Sequence, residues 1–247
     1  GSVLLMQLLS CKKQLDVLPV YQFAETNVWS DASLIQTFVN NIYSGVPHGF
    51  SCMMMASMAD ESMYNADFGS SNVTNSLINP SDFAIFDANF WASNLKQLNW
   101  TTEYKFVRAT NVFFSKIDAS PVETSAKDLM KGEVHFLRAY IYNNLLSIYG
   151  GVPLITKAYG LADSFAVPRN TYEETVKFII DELDQSATLL HGKTLESGRA
   201  SEGAALALKS RVLLAAAGDF ANSNGSWAGG YSSKELIGYV GGDRIAR

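Results

Sequence analysis

Residues 132–156 read GEVHFLRAYIYNNLLSIYGGVPLIT, and this stretch decides the fold class. Met130, Val134, Leu137, Ile141, Leu145 and Ile148 recur in steps of three and four, which places them along one face of a helix. Phe136, Tyr140 (or Tyr142), Leu146 and Tyr149 form a second stripe beside the first. A helix apolar over so much of its circumference is expected between other helices, not on a surface. Gly150-Gly151 predicts a left-handed C-terminal cap, and Pro153 forbids the helix from resuming.

Working outward, a helix is expected from about Thr101 to Ile117, with Trp100, Tyr104, Val107, Asn111 and Phe114 as its stripe. The amide of Asn111 interrupts that run and is expected to bond a neighbouring backbone and fix register. Arg108 and Arg138 sit in apolar helices and are expected to be paired, structural guanidinium groups. Downstream, Thr171 and Glu174 form a capping box ahead of Val176, Ile179, Leu183 and Leu190, and His191-Gly192 closes that helix. GRASEGAALALKSRVLLAAAG, residues 198–218, is an Ala-rich helix whose small side chains admit a close neighbour. Upstream, Asp31 is a good N-cap for a helix carrying Ile35, Phe38, Val39 and Ile42, which Gly45-Val46-Pro47 ends. Ser51–Met63 is Met-rich and reads as helical packing filler, and Ser81 opens a further helix with Trp91 near its flank. Strand signals are weak throughout. The expectation is an all-α chain of antiparallel helix pairs of tetratricopeptide-like size, roughly 101–117 with 124–149 and 171–190 with 202–217.

The 247 residues are 47% hydrophobic and 17% charged, with net charge −5, which is enough chain for a sizeable core. No basic run exists to neutralise phosphates, so a nucleic-acid partner is not expected. No apolar run approaches the length needed to cross a bilayer. Two cysteines, Cys11 and Cys52, make no disulfide framework and no zinc motif. His48, His135 and His191 lack metal-ligand spacing. HGKT at 191–194 ends like a phosphate-binding loop, but the first glycine would fall at Ala187 and a helix stands where a strand is needed. Asp60-Glu61 are adjacent in sequence, a poor arrangement for two carboxylates that must flank a substrate. No cofactor, metal or catalytic residue is expected.

Two other stretches carry functional expectations. VLLMQLLS followed by Cys11 is a short apolar run with a small residue before a cysteine, and Leu8-Leu9-Ser10-Cys11 resembles a bacterial lipobox. Residues 1–10 then read as the remnant of a lipoprotein signal peptide and 11–30 as a tether lipidated at Cys11, leaving 31–247 as the helical domain. Glu61 to Asp82, ESMYNADFGSSNVTNSLINPSD, is the longest polar stretch. Loops of that length are commonly functional, and aromatic rings among amides suit a polyhydroxylated ligand. Tyr64, Asn65, Phe68 and Asn72 are therefore candidate ligand-binding residues, with Trp91 a fifth, alongside the bland alternative of an ordinary solvated loop.

The central stretch also resembles the hallmark segment of the SusD/RagB family, nutrient-binding lipoproteins of the Bacteroidetes outer membrane. Trp100-x3-Tyr104-x3-Arg108-x2-Asn111 resembles the family's preceding helix, and VPRNTYEETVKFIIDELDQSATLL from Val167 the following one. GRASEGAALALKSRVLLAAAG resembles the next, and CKKQLDVLP from Cys11 resembles the mature N-terminus. The resemblance implies a SusD-like scaffold of tetratricopeptide-like helix pairs, lipid-anchored at the cell surface. It also implies capture of glycans, starch-like oligosaccharides included, for a SusC-like TonB-dependent outer-membrane transporter. The match corresponds to the family's N-terminal part, so the expected fold is a truncated one, and the tail beyond Trp227 fits the pattern poorly. A RagB-like carrier of peptides or other nutrients, and a helical-repeat adaptor for proteins, remain open as alternatives.

Overall fold

The computed structural model describes residues 28–46, 99–160, 162–164, 166–223 and 226–241. Among the described residues every regular element is helical: α1 (Ala32–Tyr43), α2 (Trp100–Ile117), α3 (Thr124–Tyr149), α4 (Tyr172–Leu190), α5 (Glu202–Ala217) and the single turn α6 (Asp219–Asn222). Short 3-10 turns follow at Ser226–Ala228 and Lys234–Leu236. The helices α2 and α3 form one antiparallel pair and α4 and α5 the next, with the broadest contact between α3 and α4. The all-α, helix-pair expectation holds.

The helix starts are set locally. The Asp31 carboxylate accepts from the backbone N–H of Ser33 at 2.7 Å and of Leu34 at 3.2 Å. The Ser33 hydroxyl bond, with those backbone bonds, holds its pKa below the ordinary value. Asn99 caps α2 by accepting from Thr102 N–H at 2.8 Å. At α4 both halves of the capping box form: Glu174 N–H donates to Thr171 Oγ1, and Thr171 N–H donates to the Glu174 carboxylate.

Helix α3 is the centre of the core. Val134, Leu137, Ile141, Tyr142 and Leu145 are fully buried, and α1 closes over it with Ile35, Val39 and Ile42. Ile148 and Tyr149, at the end of the expected stripes, are only half-buried. Gly132 sits where α4 comes closest: a Cβ there would lie 2.7 Å from the Leu190 side chain. The Ser186 hydroxyl donates to Gly132 O at 2.8 Å across the same contact. A larger residue at 132 would push the two helices apart.

Three expectations need correction. The buried face of α2 is Glu103, Phe106, Val107, Thr110, Phe113 and Ile117 with Asn111, rotated from the expected stripe. Trp100 is 37% exposed and Tyr104 and Phe114 are half-buried, because α1 and α3 together cover a wider arc than one heptad seam. Arg108 therefore falls on the exposed face and is not a buried structural cation. Gly150 has φ +74° but ψ −145°, an extended mirror-image conformation and not the left-handed helical cap. That conformation itself requires glycine at 150, and backbone crowding adds to it: a Cβ on Gly150 would meet Leu236 O at 2.1 Å, and one on Gly151 would meet Asn170 O at 2.2 Å.

After that turn the chain runs as an extended strap across α2 and α3, tied down by their side chains. Asn111 Nδ2 donates to Ile155 O at 2.8 Å, which is the backbone contact expected of this amide. Tyr104 donates to Pro153 O at 2.7 Å, and the Tyr142 hydroxyl accepts from Ile155 N–H at 2.8 Å. The strap obtains hydrogen bonds that a sheet would otherwise supply.

Candidate functional site

Cys11, Tyr64, Asn65, Phe68, Asn72 and Trp91 all lie outside the described residues. The same holds for His48, Cys52, Asp60 and Glu61. Of the remaining sequence candidates, Asn111, His135 and Arg138 belong to buried polar networks of the described core. Glu182 accepts from Arg138 Nε at 2.8 Å and Nη2 at 2.6 Å, and pairs with His135 Nδ1 at 2.8 Å. Burial alone would raise the Glu182 pKa, but the His135 and Arg138 hydrogen bonds outweigh it and the carboxyl stays below its ordinary value. Arg138 also donates to Asn111 Oδ1 at 3.2 Å and lies over the Phe114 ring at 4.3 Å. This is the paired, structural guanidinium expected of Arg138.

A second buried carboxylate, Glu133, accepts both Nε and Nη2 of Arg199 and the Tyr43 hydroxyl at 3.2 Å. Arg199 Nη1 reaches Asn40 at 2.8 Å, so one side chain from the α4–α5 connection fastens α1 to α3. In both networks the carboxylate oxygens and the guanidinium groups bond to neighbouring protein groups. Among the described residues no three His, Cys, Asp or Glu side chains cluster to hold a metal.

The best-formed concavity among the described residues lies at the other end of α3. It encloses about 750 Å³, within the range of small-molecule sites. Asn143, Ser147 and Tyr149 line it from α3, and Tyr172 from the first turn of α4. The facing wall is Phe220 on α6, Trp227 on the first 3-10 turn, and Tyr231. Phe220 and Trp227 stack at 4.2 Å with 15° between their planes, and Trp227 Nε1–H donates to Phe220 O at 3.0 Å. Both rings stay open to solvent, Phe220 at 67% and Trp227 at 47% exposure.

This wall is held by the returning tail. Gly151 N–H donates to Leu236 O at 2.6 Å, and Tyr239 N–H to Ala221 O at 2.8 Å. Buried Tyr239 meets the Tyr172 ring edge-on at 5.4 Å. Gly238 passes so close to α6 that a Cβ would lie 2.6 Å from Ala221 O. The cleft was missed in the sequence because its aromatics are spread through a Gly- and Ser-rich tail with no periodicity. The available signal was Trp227 and Tyr231 within that small-residue segment.

The described residues thus form an all-helical scaffold of helix pairs with an open aromatic cleft at one end of α3. Residues 15–214 match the family model described as "Starch-binding associating with outer membrane", and the chain belongs to this SusD-like family. A SusD-like protein of Formosa agariphila is 24% identical over 183 residues, covering 72% of this chain and 34% of that protein. A SusD-like protein of Bacteroides ovatus is 30% identical over 122 residues, 48% of this chain and 22% of that one. Among solved structures, a SusD-like protein from Bacteroides fragilis superposes with TM-score 0.63 at 31% identity, over 85% of this chain and 40% of that chain. A SusD-like carbohydrate binding protein from the same species superposes with TM-score 0.58 at 22% identity, over 81% of this chain and 40% of the other, a likeness of fold. The chain thus spans well under half the length of each of these relatives.

Proposed function

We propose that the protein is a non-catalytic, cell-surface glycan-binding lipoprotein that hands its ligand to a SusC-like TonB-dependent outer-membrane transporter. The observation that carries this reading is the family-model match across residues 15–214, a family described as starch-binding and outer-membrane associated. In this reading Cys11 carries the lipid anchor, and Tyr64, Asn65, Phe68, Asn72 and Trp91 contribute to the ligand face. Aromatic rings give flat apolar platforms for pyranose rings, while asparagine amides supply paired donors and acceptors for vicinal hydroxyls. The two buried Arg–Glu networks support a non-catalytic scaffold, since their charged groups are spent on packing the helices together.

A glycan array probed with the full protein tests the reading, with Tyr64→Ala and Phe68→Ala beside wild type. Binding of a neutral glycan that both variants lose is the expected result. Retention of peptides and no glycan would replace it with the peptide-carrier reading. Unchanged glycan binding in both variants would remove the 61–82 segment from the site. Co-purification with a transporter from solubilised outer membranes, abolished by Cys11→Ala, is the expected result for the partner and the anchor.

A further inference from the structure

We propose that the cleft between the end of α3 and residues 219–237 is itself a subsite for a neutral oligosaccharide. In it the stacked Phe220–Trp227 pair is the ring platform, and Tyr172, Tyr231 and Asn143 are the hydrogen-bonding groups. The inference rests on the glycan-binding reading above and adds to it a location separate from the 61–82 segment. Phe220, Trp227 and Tyr231 also fall beyond residues 15–214, the stretch matched by the family model.

The platform is formed before any ligand arrives. Stacking at 4.2 Å and the Trp227 Nε1–H bond to Phe220 O fix the two rings relative to each other, and each keeps a face toward solvent. A ligand that lands on them does not have to immobilise them first, which removes one cost of binding. Tyr239, a few residues later, is by contrast buried against the core.

Polar groups in the same cleft remain without partners. The Tyr172 and Tyr231 hydroxyls and the Asn143 side-chain amide make no hydrogen bond among the described residues. Burial pushes the Tyr172 hydroxyl up to about 12, so at neutral pH it is an uncharged group able both to donate and to accept. An aliphatic occupant would leave these groups dry and unsatisfied, at about 1–3 kcal/mol for each. A sugar hydroxyl satisfies them.

Charge narrows the ligand class further. Among the described residues Arg169 is the one charged residue of the lining, and its Nε and Nη2 donate to Gly151 O and Tyr149 O at and just after the end of α3. Among the described residues no carboxylate lines the cleft to hold a cation or an amine. Two of the three Arg169 nitrogens are held by backbone carbonyls, and the other polar groups of the lining are uncharged hydroxyls and amides, which suits a polyol.

The test uses the full protein labelled with nitrogen-15 and four probes: maltoheptaose, cellohexaose, laminarihexaose and xylohexaose. The Trp227 indole N–H resonance is assigned by its loss in Trp227→Phe. The expected result is a saturable shift of that resonance with at least one probe. Calorimetry of the same sugar should show affinity at least tenfold weaker in Trp227→Ala, with Tm within about 2 °C of wild type. Tyr231→Phe, which removes only a hydroxyl, should weaken the same sugar by a smaller factor and keeps the test open should Trp227→Ala fail to fold. If wild type binds a probe while the Trp227 resonance stays still and Tyr64→Ala abolishes binding, the subsite is wrong and the glycan reading stands. If wild type binds none of the four, the glycan reading falls and this subsite falls with it.

Discussion

Arg138 and Glu182 form a two-pronged ion pair across the α3–α4 contact, Nε to Oε2 at 2.8 Å and Nη2 to Oε1 at 2.6 Å, with both residues almost wholly buried. Such a pair fixes the register of two helices because neither charge can slide without losing its partner. Truncating one member strands the other charge, at about 3–5 kcal/mol. Arg138→Ala and Glu182→Ala should each lower unfolding free energy in urea by that order. The double change Arg138→Met with Glu182→Leu should recover much of it. A double variant as unstable as the singles would show that the pair contributes net stability and not only register.

Glu103 is fully buried, receives one hydrogen bond from Asn144 Nδ2 at 3.1 Å, and leaves Oε2 without a partner. Burial pushes its pKa up to about 8, from an ordinary 4.5, against the lowering effect of the Asn144 bond. The folded state therefore holds a proton that the unfolded state releases. Stability from this group is complete below pH 4.5 and falls as pH rises toward 8, with a slope approaching about 1.36 kcal/mol per pH unit between those limits. Glu182 runs the other way, its stabilisation present above the ordinary carboxylate pKa and lost as pH falls below it. Urea titrations from pH 5 to 8 should show wild type weakening, while Glu103→Gln stays nearly flat and is the more stable protein at pH 8. Parallel profiles for the two would reject a protonated Glu103.

The Tyr142 hydroxyl accepts the Ile155 N–H at 2.8 Å and holds the strap that follows the glycine turn. Tyr142→Phe keeps the ring contact with Phe178 at 4.9 Å but removes the acceptor. The expected loss is about 1–3 kcal/mol, the cost of a buried donor left unsatisfied. Amide exchange at Ile155 should accelerate in this variant while exchange at Ile141, in the middle of α3, slows or quickens only with global stability. Equal changes at both amides would mean that the strap does not open separately.

Some of this structure was legible because it is local. Asp31 and Thr171 cap helices through bonds two or three residues away, so sequence order carries the whole signal. The central stripe of α3 was legible for the same reason. Arg108 and Arg138 looked alike in sequence and differ only in phase: Arg138 faces α4 beside buried Leu137, whereas Arg108 faces outward beside buried Val107. Glu133 and Glu182 were not legible as buried acids, since isolated carboxylates on helices usually mark a solvated face. Their partners decide otherwise, and Arg199 lies 66 residues from Glu133. The aromatic cleft was hidden by the same separation. Phe220 and Trp227 line one cleft with Tyr172, and the tail packs back against that end through Gly238 and Tyr239. The sequence candidates Tyr64, Asn65, Phe68, Asn72 and Trp91 lie outside the described residues, so the site they predict stands on chemistry alone.

The glycine pair after α3 offers a test that separates backbone strain from crowding. At Gly151 the obstacle is backbone, since a Cβ would sit 2.2 Å from Asn170 O and 2.7 Å from the Thr171 carbonyl carbon. Neither atom can rotate away, because Asn170 N–H is bonded to Val152 O and Thr171 caps α4. At Gly192, after α4, φ is +64° but nothing lies within 4 Å of a Cβ. Gly192→Ala should therefore cost only the left-handed conformational penalty, about 1–2 kcal/mol. Gly151→Ala should cost more than Gly192→Ala in urea unfolding, and should also loosen the start of α4, read as faster amide exchange at Glu174. Since Gly151 N–H anchors Leu236, the same change should disturb the tail and shift the Trp227 indole resonance. Similar costs for the two glycines, with Trp227 unmoved, would show that the turn relaxes and that the tail does not depend on it.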